Sequence, residues 1–179
     1  MTPEDYLAFE ERSEVRHEFL NGVIYAMAGA RNRHSRIVLN IGSLLHAQLR
    51  GKQCSAFVAD TRVRIRAGDD RRFYYPDAGV TCRPNPLDDV FEDEPAVVFE
   101  VLSESTRRAD TGEKRDGYFK IESLQRYVLV EPEMAALTIY QRTPDGWRGE
   151  VIDDIAGVLR LPEIECELPL SEIYAGVLG

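Results

Sequence analysis

Glu100 and Asp77 are the residues whose type and setting point most directly to chemistry. Glu100 interrupts the run Ala96-Val97-Val98-Phe99-Glu100-Val101-Leu102, whose β-branched and apolar residues predict a buried strand. A carboxylate buried without a partner costs several kcal/mol, so Glu100 needs a positive neighbour. Asp77 closes Tyr74-Tyr75-Pro76-Asp77, inside a second strand-like run from Phe73 to Cys82 that can pair with the first. Two acidic side chains then face one point. That suits a hard divalent cation such as magnesium, which takes oxygen ligands and keeps waters for chemistry.

The elements that must position these groups follow from pattern. Thr2-Pro3-Glu4 predicts a helix start, with Thr as N-cap, Pro at the first helical position and acids in the first turn, running to about Glu11. Asn21-Gly22 between Val15–Leu20 and Val23–Met27 predicts a hairpin whose first strand carries Glu18. Ile37, Ile41, Leu44, Leu45 and Leu49 recur at helical spacing until Gly51, which predicts the longest helix. His34 heads its inward stripe, while Arg33, Arg36 and Arg50 lie off it. Ser55–Val58 and Arg62–Arg66 read as strands, the second placing Arg62, Arg64 and Arg66 on one face, either solvated or against DNA. Asp60 between them either assists the site or turns the chain.

Arg83 to Pro95, with Pro84 and Pro86, reads as a surface loop, and Ser103 to Asp110 as a polar one. Asp110-Thr111-Gly112-Glu113 has the spacing of a capping box and predicts a helix to about Ile121. On that helix Lys114, Tyr118 and Ile121 share the stripe facing the sheet, so the ammonium reaches the edge where Glu100 ends. Tyr127–Val130 is a further strand, Leu137–Gln141 and Trp147–Ile152 form a hairpin across Thr143-Pro144-Asp145-Gly146, and short apolar pieces alternate with prolines in the tail.

With 179 residues, 44% hydrophobic and 30% charged, the chain reads as one soluble domain without a Ser/Gly-rich linker. Met1-Thr2-Pro3-Glu4-Asp5 has no basic segment leading into an apolar one, and no apolar run approaches the roughly 20 residues that span a bilayer. The expectation is a cytoplasmic protein that does not touch a membrane. Cys54, Cys82 and Cys166 are odd in number and widely spaced, which predicts reduced thiols rather than a disulfide framework or zinc site. Net charge is -9, yet Arg31 to Arg72 holds ten basic against three acidic residues, leaving 12 basic against 28 acidic elsewhere. A phosphate-binding surface is therefore compatible with an acidic body.

Taken in order, the chain resembles the PD-(D/E)XK nuclease superfamily, and within it the Uma-type restriction-endonuclease family. The matching stretches are Arg16-His17-Glu18-Phe19-Leu20-Asn21-Gly22, His34, Tyr75-Pro76-Asp77, Glu100-Val101-Leu102-Ser103-Glu104-Ser105-Thr106, and Gly112-Glu113-Lys114 with Tyr118. The superfamily name places a lysine two residues after the second carboxylate, where this chain has Leu102. In the Uma-type family that lysine sits on the following helix, and Lys114 matches it. Glu104 stands where the family often has proline.

The resemblance implies an α/β fold of the α+β kind: a mixed-sheet, restriction-endonuclease-like αβββαβ core over residues 31–132, an N-terminal helix and hairpin over 1–30, and a C-terminal β extension over 133–179. It implies magnesium, with manganese as substitute, held by Asp77, Glu100 and the Val101 backbone carbonyl. Lys114 would orient the attacking water or neutralise growing charge. Glu18 is a further metal or water ligand, or else a cross-strand ion-pair partner; His34 is a phosphate contact or proton relay, or else a core histidine. The function expected is a metal-dependent endonuclease hydrolysing phosphodiester bonds in DNA. The alternative is a non-cleaving nucleic-acid-binding or assembly module on the same fold. A homodimer suits the cutting of both strands, and with no separate DNA-reading motif a partner protein is one source of specificity.

Overall fold

Residues 1–178 are described by the structure, a computed structural model. Helix α1 (Pro3–Glu10) opens with the expected Thr2 cap, completed by Asp5 as a reciprocal capping box. Strands β1 (His17–Leu20) and β2 (Val23–Ala26) meet at Asn21 and Gly22, both with positive φ (46° and 99°), the mirror-image turn that matches strand twist. Helix α2 (Asn32–Leu49) buries Ile37, Ile41, Leu45 and Leu49, each worth roughly 1.5–3 kcal/mol when fully removed from water.

Next come β3 (Ser55–Val58), β4 (Arg62–Ala67), β5 (Asp70–Tyr74), β6 (Ala78–Thr81), a short β7 (Phe91–Glu92) and β8 (Pro95–Val101). The single strand expected from Phe73 to Cys82 is instead two, because Tyr75-Pro76-Asp77 breaks it and passes the chain from one sheet to another. Pro76 has no N–H for a ladder, which makes it a natural crossing point. Two short helices follow, α3 (Arg107–Thr111) and α4 (Glu113–Tyr118), then β9 (Arg126–Val130), β10 (Leu137–Thr143) and β11 (Gly146–Ile152). The C-terminal part holds the ribbon β12 (Val158–Leu161) with β13 (Cys166–Pro169), and α5 (Leu170–Ile173).

A six-stranded sheet runs β11-β10-β9-β8-β6-β3, parallel only between β8 and β9, and a five-stranded sheet runs β2-β1-β5-β4-β7. Residues on β8 alternate between two cores. Val97, Phe99 and Val101 join α2 and the C-terminal ribbon, whereas Val98 joins Tyr118, Leu129 and the second sheet's Val63, Ile65 and Tyr74. Glu100 has the parity of Val98, so it faces α4 and the second sheet. The ladder pairs Ala78 with Phe99, so Asp77 falls opposite Glu100.

Three expectations are corrected. No side-chain hydrogen bond caps α4, so Asp110 to Glu113 is no capping box; Asp110 is instead a buried residue of α3, and the chain breaks at Gly112. Arg62 and Arg64 do share a face, but that face is covered by the 83–95 loop. Arg62 Nε donates to the Val90 carbonyl, and Arg64 grips Asp93 through two bonds of 2.7 Å. Cys54 and Cys82 form a disulfide, leaving Cys166 as the free, buried thiol. Ser55 pairs with Thr81, so the β3–β6 ladder places the two cysteines opposite each other despite a sequence separation of 28. Asp60, with φ 76°, turns the chain between β3 and β4 and pairs with Arg16 at the surface. No described helix is long and apolar enough to cross a membrane.

Candidate active site

Lys114 is the hub. Its ammonium lies 2.9 Å from Glu18 Oε1, 3.0 Å from Glu100 Oε1 and 3.4 Å from Asp110 Oδ1. Its side chain is only 6% exposed, although lysine stems usually carry the charge outward. Local sequence explains the placement. A Cβ on Gly117 would meet the Arg72 guanidinium at 2.8 Å and the Tyr74 ring at 3.1 Å, so glycine there lets α4 lie close against β5. The Tyr118 hydroxyl donates to Glu100 Oε1 at 3.2 Å, and the Tyr74 ring centroid lies 5.5 Å from the ammonium.

Asp77 makes the second half. Its Oδ2 accepts the Val101 N–H at 2.7 Å and stands 3.1 Å from His34 Nε2. His34 comes from the first turn of α2, which brings the positive end of that helix to the same place. Burial disfavours protonation of His34, but the hydrogen bond and charge of Asp77, helped by the Val101 carbonyl, outweigh it and raise its pKa. The Val101 N–H bond sets that edge of β8 beside Asp77. Glu18, on β1, also accepts the Tyr75 N–H at 3.3 Å, which ties the crossing segment to the site.

Charge is unbalanced here. Glu18, Glu100 and Asp110 surround a single lysine and Asp77 adds a fourth carboxylate beside His34, the one further group here able to become positive. Burial pushes the Glu100 carboxyl well above the usual range; Lys114 opposes this, and Asp110, Asp77 and Glu18 reinforce it. Burial raises Asp110 as well. For Lys114 burial acts downward, yet Glu100, Glu18 and Asp110 together hold its pKa well above normal. Among the described residues no three acidic, His or Cys side chains gather around one ion-sized point, since Lys114 and His34 engage them. Two carboxylates are nonetheless donors of the kind a hard cation takes.

All five side chains singled out from sequence, Glu18, His34, Asp77, Glu100 and Lys114, meet here, with Val101 beside Asp77. The residue sequence reasoning missed is Asp110. Its signal is the four-residue spacing to Lys114, a helical ion-pair distance.

A family model described as "Putative restriction endonuclease", Uma2, matches residues 3–171. The chain belongs to the Uma2 family. Two Synechocystis proteins are similar to it: slr1290 is 34% identical over 178 residues, covering 99% of this chain and 93% of its own, and sll1609 is 30% identical over 148 residues, covering 81% and 82%. The crystal structure of an Anabaena variabilis protein, described as a putative nuclease belonging to DUF820, superposes with a TM-score of 0.80 at 18% identity and 99% coverage of both chains. This Uma2 chain therefore has that mixed α+β fold, and the resemblance read from its motifs is borne out.

Proposed function

We propose that this Uma2 protein is a metal-dependent endonuclease that hydrolyses phosphodiester bonds in DNA. The observation that carries the reading is half-buried Asp77, in the segment that enters β6, opposite buried Glu100 on β8, with Lys114 3.0 Å from Glu100 in a set short of positive charge. Magnesium or manganese would be held by Asp77, Glu100 and the Val101 carbonyl. Such a cation, when bound, makes water a nucleophile near neutral pH and polarises a phosphoryl oxygen.

The chain's own residues supply the rest. Lys114 places a fixed positive charge where negative charge grows on the phosphoryl oxygens, in surroundings where such charge acts strongly. Glu18 holds that ammonium from the β1 side. His34, half-buried beside Asp77, is placed to contact a phosphate or carry a proton. Exposed Arg31 and Arg36 flank it at the start of α2 and offer the scissile strand a basic approach.

One observation favours the non-cleaving alternative. Arg62 and Arg64 face the 83–95 loop, which removes two of the basic residues that DNA would otherwise meet. The test is nicking of supercoiled plasmid and cutting of single-stranded DNA with magnesium or manganese, using native protein, Asp77→Ala and Lys114→Ala. Metal-dependent cutting lost in both variants is the expected result. Native protein that binds the metal but leaves both substrates intact would overturn the nuclease reading in favour of a binding module.

A further inference from the structure

We propose that Asp110 is a positioning residue that takes over Lys114 when Glu100 turns its carboxylate to a cation; the inference rests on the metal-dependent reading above. An ammonium has three N–H donors. In this structure Glu18 and Glu100 receive two of them at 2.9 and 3.0 Å, and Asp110 stands just outside hydrogen-bond reach at 3.4 Å. Asp110 Oδ1 is buried and has no hydrogen-bond partner. A buried carboxylate oxygen left bare is unusual in a folded protein; here the ammonium at 3.4 Å is long for a charged hydrogen bond, and the Thr106 hydroxyl is the other donor beside this carboxyl.

The backbone of Asp110 is pinned, whereas Lys114 ends in a flexible stem. The Asp110 N–H donates to the Thr106 carbonyl at 2.9 Å, and its own carbonyl accepts the Tyr127 hydroxyl at 2.9 Å. Asp110 therefore stays in place and the ammonium comes to it. Withdrawal of Glu100 leaves Glu18 and Asp110 as the two remaining acceptors, one on each side. The lysine is then kept beside the phosphoryl site instead of following Glu100 onto the cation or leaving for solvent. No capping duty competes for this side chain, because α4 starts without a side-chain cap.

The chain has three lysines, and the side chains of Lys52 and Lys120 are 36% and 42% exposed, so a protein labelled with nitrogen-15 lysine should give one protected ammonium signal, that of Lys114. On adding magnesium the native signal should shift and stay sharp. In Asp110→Asn it should broaden into water while calorimetry shows magnesium still taken up. Cutting by Asp110→Asn should lose on the order of a hundredfold in kcat with KM unchanged, as for a misplaced catalytic group, and Asp110→Glu should recover most of it. A sharp, magnesium-shifted signal and native kcat in Asp110→Asn would overturn the handover.

If Asp110→Asn does not fold, Glu100→Gln asks the same question without touching Asp110. Lys114 must then keep a sharp signal on Glu18 and Asp110, and a signal lost to water overturns the proposal. Native protein that takes up neither magnesium nor manganese overturns both this inference and the metal-dependent reading. Uptake that leaves the native lysine signal unmoved overturns the handover alone.

Discussion

Neighbouring residues of α4 belong to two charge clusters with opposite balances. Glu113 joins Arg72, Tyr74, Asp70 and Lys120, where two carboxylates meet two cations: Arg72 reaches Asp70 at 2.7 Å and Glu113 at 2.5 Å, and Lys120 closes on Asp70. Lys114, one residue on, faces three carboxylates alone, with a fourth at Asp77. The consequences differ in sign. Burial acts to raise Asp70, but its bonds to Arg72 and Lys120 win and lower it to about 2. Burial raises Glu100, and one lysine cannot reverse it. A matched cluster is a strut between β5 and α4; a surplus of buried acid is where the proposed cation would act.

The largest expected effect breaks the unmatched cluster. Lys114→Met should cost about 3–5 kcal/mol in denaturant unfolding at neutral pH, since it leaves buried carboxylates without compensation. Acid or magnesium should restore part of the loss. Arg72→Met should cost less, about 1–3 kcal/mol, because Lys120 still answers Asp70. Equal losses would erase the contrast between the two clusters.

Glu100→Gln sharpens the same contrast in the other direction. A carboxyl whose folded pKa is raised opposes folding once pH exceeds its unfolded value, so removing the charge should stabilise metal-free protein at neutral pH. Thermal melting without metal checks it, and a lower melting temperature would contradict the charge surplus.

The matched cluster carries the smallest effect. Asp70 titrates at about 2 in the folded chain against 3.8 ordinarily, so its contribution is present above pH 3.8 and lost as pH falls toward 2. Solvent screening leaves it on the order of 1–2 kcal/mol. Asp70→Asn should flatten that part of the stability profile, and an unchanged profile would show that Asp70 is not held by its cations.

These contrasts also explain what the sequence made legible. Glu100 could be found because one acid in a strand of Val and Phe has no structural excuse, and Lys114 because helical spacing aligned it with Tyr118 and Ile121. Asp110 escaped because the same Asp-x-x-Glu spacing serves caps and ordinary helix turns, and only packing tells them apart. The Tyr75-Pro76-Asp77 crossing was hidden within an apolar run that continues on both sides, although Pro76 marked it. The Cys54–Cys82 bond depends on β3 lying beside β6, a non-local pairing that neither cysteine's neighbours announce. Arg62 and Arg64 showed their shared face but not the loop that covers it.

The most direct test of the central claim is calorimetric titration of manganese into native protein and Glu100→Gln at several pH values. Saturable uptake by native protein, absent in Glu100→Gln and weakening as pH falls because the proton on Glu100 competes with the metal, is the predicted result. Native protein that takes up no manganese at any pH would contradict it and leave the buried carboxylates without the cation the account assigns them.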